Sequence, residues 1–172
     1  DGDDYIFGGD GFDDVHGNAG NDTVRGGLEN DWVVGGKGDD LLFGEQDDDI
    51  VYGNLGRDTL YGGYGQDTVR GGQEDDVLYG DDGDDWMSGD RGFDRLWGGE
   101  GADTFHVSAD TGVERIEDFS QAEGDRIQID AGLAYTTSQS GADAVINLEG
   151  GGQVVLVGVQ LASLQNGWIF AV

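Results

Sequence analysis

The chain has 172 residues, with 37 Asp or Glu against eight Lys or Arg and a formal net charge of −29. So negative a surface excludes nucleic acid as a partner, because phosphate binding needs clustered Lys and Arg. With 35 glycines, no cysteine and no proline, it can have neither a disulfide framework nor a thiolate metal site, and no slow prolyl isomerisation delays its folding.

From its first residues the chain keeps one interval. Asp4, Asp13, Asp22, Asp31, Asp40, Asp49, Asp58, Asp67, Asp76, Asp85, Asp94 and Asp103 stand nine residues apart without insertion or deletion. Cutting at that interval gives GGDGFDDVH from Gly8, GNAGNDTVR from Gly17 and GGYGQDTVR from Gly62. The first position is Gly in all eleven repeats that include it. The eighth is apolar in all twelve, from Ile6 and Val15 to Leu96 and Phe105. A solvated, disordered acidic tail would not hold three columns in phase.

Each column has a physical task. Glycine tolerates positive φ, so Gly at positions one, two and four lets a six-residue stretch curl its carbonyls inward around a cation. The Asp at position six adds charge. Positions seven to nine read as a short strand that points position eight into a core. Two strands and two turns close one coil, so 18 residues make a rung, and repeats i and i+2 stack about 4.8 Å apart. At that separation facing carboxylates repel unless a cation lies between them. Hard oxygen ligands, about six per ion, are what calcium prefers. The expectation is all-β: a parallel β-roll of about six two-strand rungs over residues 1–106, roughly 29 Å long.

After His106 the phase ends. ADTGVERIEDFS, GDRIQID, AVINL, GGGQVVLVGV and GWIFAV read as strands between Gly-rich turns, with Glu149–Gly152 as a hairpin connection. Residues 107–172 are therefore expected to form a small antiparallel cap that covers the last rung, since an open β-roll exposes strand edges. No stretch of about 18 apolar residues and no signal peptide is present, and the opening DGDDYIF reads as the remainder of a repeat in a longer protein.

Catalytic motifs are absent: there is no H-E-x-x-H, G-x-S-x-G or G-x-x-x-x-G-K-[ST]. His16 and His106 are five rungs apart and cannot share a zinc. Helical periodicity flanks no loop, which excludes EF-hands. Position nine of the odd repeats reads Phe7, Arg25, Phe43, Tyr61, Tyr79 and Trp97, an aromatic column on one outer face. It is expected either to stack as reinforcement or to dock an upstream domain or a second copy.

The motif G-G-x-G-x-D-x-U-x resembles the RTX (repeats-in-toxin) family of calcium-binding nonapeptide proteins, and the likeness covers residues 1–106. It implies that each calcium takes the Asp and the carbonyls of positions two and four from one repeat. It also takes the Asp and the carbonyls of positions one and three from the repeat two further on. Carried over, the position-one carbonyls are Gly17, Gly26, Gly35, Gly44, Gly53, Gly62, Gly71, Gly80, Gly89 and Gly98. Those of position two are Gly9, Asn18, Gly27, Gly36, Asn54, Gly63 and Asp81; those of position four are Gly11, Gly20, Gly38, Gly56, Gly65 and Gly83. Position three supplies Ala19, Leu28, Lys37, Gln46, Leu55, Tyr64, Gln73, Asp82, Arg91 and Glu100. Twelve repeats allow ten pairings, hence up to about ten calcium ions. Glu29, Asp47 and Glu74 replace Gly at position four, a departure expected to disturb their carbonyls.

The tail, with Gly101–Phe105, Ile116–Phe119, Gly124–Ile127 and Trp168–Phe170, resembles the C-terminal ends of serralysin-type proteases and other type I secretion substrates. That likeness implies an uncleaved secretion signal, export by the type I apparatus of a Gram-negative bacterium to the extracellular space, and one further calcium at Asp118 and Asp125. The expected function is a calcium-responsive folding and secretion module, disordered without calcium and itself no enzyme. The alternatives are an adhesion or carbohydrate-binding module, or the non-catalytic tail of a secreted hydrolase such as a protease or lipase.

Overall fold

The computed structural model describes all 172 residues. Each repeat contributes one strand of six residues: β1 (Tyr5–Asp10), β2 (Asp14–Ala19), β3 (Thr23–Leu28), β4 (Trp32–Lys37), β5 (Leu41–Gln46), β6 (Ile50–Leu55), β7 (Thr59–Tyr64), β8 (Thr68–Gln73), β9 (Val77–Asp82) and β10 (Trp86–Arg91). β11 (Phe93–Glu100) is longer and β12 (Thr104–Val107) shorter. The strands are twice the expected three residues, because pairing runs on through positions one to three of the next repeat.

Strands two apart in sequence pair in parallel with a register offset of 18, Val24 beside Leu42 and Val33 beside Val51. Odd and even strands thus form two separate sheets facing each other. Position eight of every repeat points between them, and Val24, Val33, Leu42, Val51, Leu60, Val69, Leu78, Met87, Leu96 and Phe105 are fully buried. Ile6 and Val15, in the first rung, are only partly covered.

The solenoid continues past residue 106. β13 (Val113–Ile116) pairs in parallel with β11, and β14 (Arg126–Ile129) with β12, so the parallel β-solenoid has about seven turns. The antiparallel element expected in the tail is a meander of β15 (Tyr135–Ser140), β16 (Asp143–Leu148) and β17 (Gln153–Leu156). β17 also pairs in parallel with β13, and β18 (Ile169–Ala171) in parallel with β14. The connection from residue 149 to 152 joins β16 to β17. β15 gives no sequence signal, because YTTSQS is polar throughout and every residue of it is exposed. No helix is long and apolar enough to cross a membrane.

The odd aromatic column forms a continuous stack. Ring centroids lie 5.0 Å apart for Phe43–Tyr61, 4.7 Å for Tyr61–Tyr79 and 4.8 Å for Tyr79–Trp97, with planes within 17° of parallel. Arg25 lies over the outer face of Phe43 and Arg95 over that of Trp97.

Candidate metal centres

The turns bring each predicted aspartate to the next. The backbone N–H of Asp4 donates to Oδ1 of Asp22 at 2.7 Å, that of Asp13 to Asp31 at 2.8 Å, and so on to Asp85 and Asp103 at 3.0 Å. All ten expected pairings make this bond. The second oxygen is different. Oδ2 of Asp22, Asp31, Asp40, Asp49, Asp58, Asp67, Asp76, Asp85, Asp94 and Asp103 is buried and makes no hydrogen bond. An ionised oxygen in that state costs several kcal/mol unless a cation faces it.

Glycine at position one lines the same space. None of the eleven has a positive φ, contrary to the expectation that they curl the turn. They are needed for room, since a methyl on any of them would strike the Asp Oδ2 of its own repeat. At Gly8 that methyl would stand 2.7 Å from Asp13 Oδ2 and 2.6 Å from the carbonyl oxygen of Gly26; at Gly62, 2.5 Å from Asp67 Oδ2 and 2.7 Å from the Gly80 carbonyl. At these two glycines a carboxylate oxygen of one rung and a carbonyl oxygen of the next thus both crowd the same Cα. The donor set, carboxylate and carbonyl oxygen alone, fits a hard divalent cation.

Positive φ belongs to positions two and four. Asn18, Glu45, Asn54, Asp81 and Asp90 adopt it at position two, where Asn and Asp are the side chains that tolerate it best. Glu29, Asp47 and Glu74 adopt it at position four with φ of 71°, 69° and 80°. The carbonyls of Asp47 and Glu74 are not displaced: they project at Gly65 and Gly92 of the next rung as the carbonyl of Gly38 does at Gly56. Backbone strain, not lost geometry, is the consequence of these side chains.

Burial raises the carboxyl pKa of the position-six aspartates from Asp31 to Asp103, countered in part by the N–H that each accepts. Asp40, Asp67 and Asp94 rise to about 6, Asp49, Asp58 and Asp103 to about 7, and Asp76 and Asp85 to about 8. Neighbouring carboxylates contribute in each case, Asp58 and Asp94 acting on Asp76, for example. The repeats thus form two columns of like charges held out of water.

Asp118 and Asp125 lie over the last repeat. Asp118 accepts the N–H groups of Gly98 and Gly99 at 3.0 and 3.1 Å. Asp125 accepts those of Asp103 at 3.1 Å and Ser120 at 2.7 Å. Neither has the unbonded buried oxygen that marks the repeats. His16 pairs with Asp14 and His106 with Asp130 at opposite ends of the roll.

Two features escaped the sequence reading. At position five, Asp3, Asn21, Asp39, Asp48, Asp75 and Asp84 each accept the backbone N–H of the residue 18 further on, at 2.8–3.0 Å. This second ladder runs along the outside of the turns, and Asp or Asn recurring at position five was its signal. The other feature is Glu114, completely buried beside Asp94; it lies outside the nine-residue phase.

Carbonyl-lined turns stacked in two columns along a parallel solenoid define a calcium-binding β-roll. A family model described as the RTX calcium-binding nonapeptide repeat matches in four copies, at residues 1–33, 25–60, 61–96 and 79–113. The chain belongs to that family, whose repeats bind calcium, form a non-catalytic β-roll and are typical of secreted bacterial proteins exported by the type I route.

Among solved structures, the extracellular lipase LipA from Serratia marcescens is 20% identical over 98% of this chain, with a TM-score of 0.43. The chain spans 38% of that lipase's length. The AlgE6R3 subunit of the Azotobacter vinelandii mannuronan C5-epimerase is 29% identical over 74% of this chain and 80% of its own, also with a TM-score of 0.43. No curated protein sequence matches the chain.

Proposed function

We propose that this chain is a calcium-responsive folding and secretion module of a larger extracellular protein. The observation that carries the reading is the ten buried Asp Oδ2 oxygens without a partner, five in each of two columns, each packed against a glycine where any side chain would collide with it. In this reading the pairings from Asp4–Asp22 to Asp85–Asp103 are the calcium sites, completed by the carbonyls of positions one to four. Calcium supplies the positive charge that lets these carboxylates stay ionised inside the roll. Residues 1–106 carry a formal −22, so ten divalent ions would nearly neutralise them.

Without calcium, repulsion along each column and the entropy of 35 glycines oppose folding, and one apolar side chain per repeat is too little to offset them. Metal binding and folding are then a single event. At low cytosolic calcium the chain stays extended and suited to passage through a secretion channel; at extracellular calcium it folds. Residues 107–172 close the roll and carry the export signal, with the type I apparatus as the partner.

The stacked aromatic column favours reinforcement over carbohydrate binding, because a sugar platform needs open ring faces and these rings cover one another. A calcium titration by far-UV circular dichroism tests the reading. In chelator the spectrum should be that of a disordered chain, and millimolar calcium should convert it cooperatively to β. Magnesium should fail, because its octahedral demand suits these carbonyl turns badly. A β-rich spectrum in excess chelator would sink the proposal.

A further inference from the structure

β13 lies outside the nine-residue array but keeps part of its packing. A methyl on Gly112 would strike the carbonyl of Gly92, as one on Gly56 would strike that of Gly38. Gly112 and Glu114 therefore take the fourth and sixth positions of a further rung, 20 residues beyond Gly92 and Asp94 where the rungs of the nine-residue array follow after 18. The two extra residues hide this rung from a search by period.

Glu114 and Asp94 are both completely buried and are register partners on adjacent strands. Oε1 of Glu114 accepts the N–H of Gly89 at 3.3 Å, while its Oε2 makes no hydrogen bond. Asp94 repeats the pattern: Oδ1 accepts the N–H of Asp76 at 2.9 Å and Oδ2 has no partner. No basic side chain balances them, since Arg95 and Arg115 turn outward to Glu117 and Arg91 turns to Asp110. Two carboxylates shut away from water with no counter-charge call for a cation between them.

We propose that Asp94 and Glu114 hold an eleventh calcium ion between their unbonded oxygens, at the junction of roll and cap. The inference rests on the reading of the repeats as calcium sites and extends it to a residue outside the repeat motif. The junction site differs from the others in several respects: neither Gly92 nor Gly112 has the positive φ of the other position-four residues, and Glu114 accepts the N–H of Gly89 where the repeats accept that of the paired aspartate. The Gly92 carbonyl accepts the N–H of Val113 at 2.8 Å, whereas no other position-four carbonyl accepts a backbone hydrogen bond. The site is poorer in carbonyl oxygen and leans on its carboxylates, and the longer Glu side chain supplies the reach. It should be the weakest of the series and the last to fill.

Anomalous diffraction from crystals of the complete chain grown in calcium tests this directly. The expected result is a peak between Asp94 and Glu114 in addition to those in the turns. Peaks in the turns without one at the junction would overturn this site, leave the proposed function standing, and imply a shared proton there. No peaks anywhere would overturn both. In solution, Glu114→Gln keeps the shape and removes the charge, so native mass spectrometry in calcium should count one ion fewer per chain with an unchanged far-UV spectrum. A full complement on the folded variant would overturn the site. Should the variant not fold, the diffraction result decides.

Discussion

The roll and the cap build their interiors from different materials. Of the twenty residues in the continuous apolar core, ten come from residues 24–105 and ten from residues 107–156. The cap thus has the same number of apolar anchors in a little over half the length. Beside each of its apolar residues the roll buries an aspartate; the cap buries only Glu114 and Asp125. Between residues 131 and 172 the only charged side chains are Asp143 and Glu149. At roughly 1.5–3 kcal/mol per buried aliphatic side chain, the cap has an ordinary hydrophobic core. The roll's apolar contribution is set against two columns of carboxylates. A solenoid with one apolar side chain per repeat stays open to control by an ion, whereas a conventional core does not.

The largest test of that contrast is truncation. A chain ending at Val107 leaves Leu96 and Phe105 uncovered, because Ile116, Phe119 and Ile127 pack in the same core. It should lose the cooperative calcium transition and require far more calcium for any β signal. An unchanged midpoint and steepness would make the tail an export signal alone.

Acid should act on the roll more than on the cap, where burial raises Asp125 and Glu114. Burial raises Asp49, Asp58 and Asp103 to about 7 and Asp76 and Asp85 to about 8, from a usual value near 4. Between about pH 4 and 8 the metal-free folded roll binds more protons than the unfolded chain, so its stability is greatest at the acid end and falls as pH rises through that window. Calcium has to displace those protons, and its apparent affinity should drop as pH falls from 8 to 5, with protons released on binding. A calcium midpoint that stays constant over this range would contradict the buried columns.

A smaller effect is expected on the odd outer face. Replacing Tyr61 and Tyr79 by Thr removes all three contacts of the stack and should lower calcium-bound stability by about 0.5–1.5 kcal/mol per lost pair. Sedimentation velocity beside thermal melts checks the reading. An earlier melt with both chains monomeric fits reinforcement; an unchanged melt with lost self-association would make the face an interface.

The smallest change should follow Glu74→Gly, which relieves a left-handed side chain whose carbonyl already sits correctly. The gain should not exceed about 1 kcal/mol, because added freedom in the unfolded chain offsets part of it. A large increase in calcium affinity would show that the glutamate distorts its site after all.

The nine-residue interval alone was enough to read the parallel roll, its buried eighth position and the pairing of each aspartate with the one 18 residues on. In a solenoid, contacts between neighbouring rungs are fixed offsets in sequence, so the period carries the tertiary structure with it. The role of position-one glycine was misread as conformational, because Asp Oδ2 comes to pack against its Cα only in the folded chain. Beyond residue 106 the offsets become 20 for β11–β13, 22 for β12–β14 and 40 for β13–β17, and no period remains to be read. There the parallel continuation, the exposed strand β15 and the burial of Glu114 against Asp94 were decided by packing on the last rung. A contact between residues at irregular separation leaves its mark only in the folded chain.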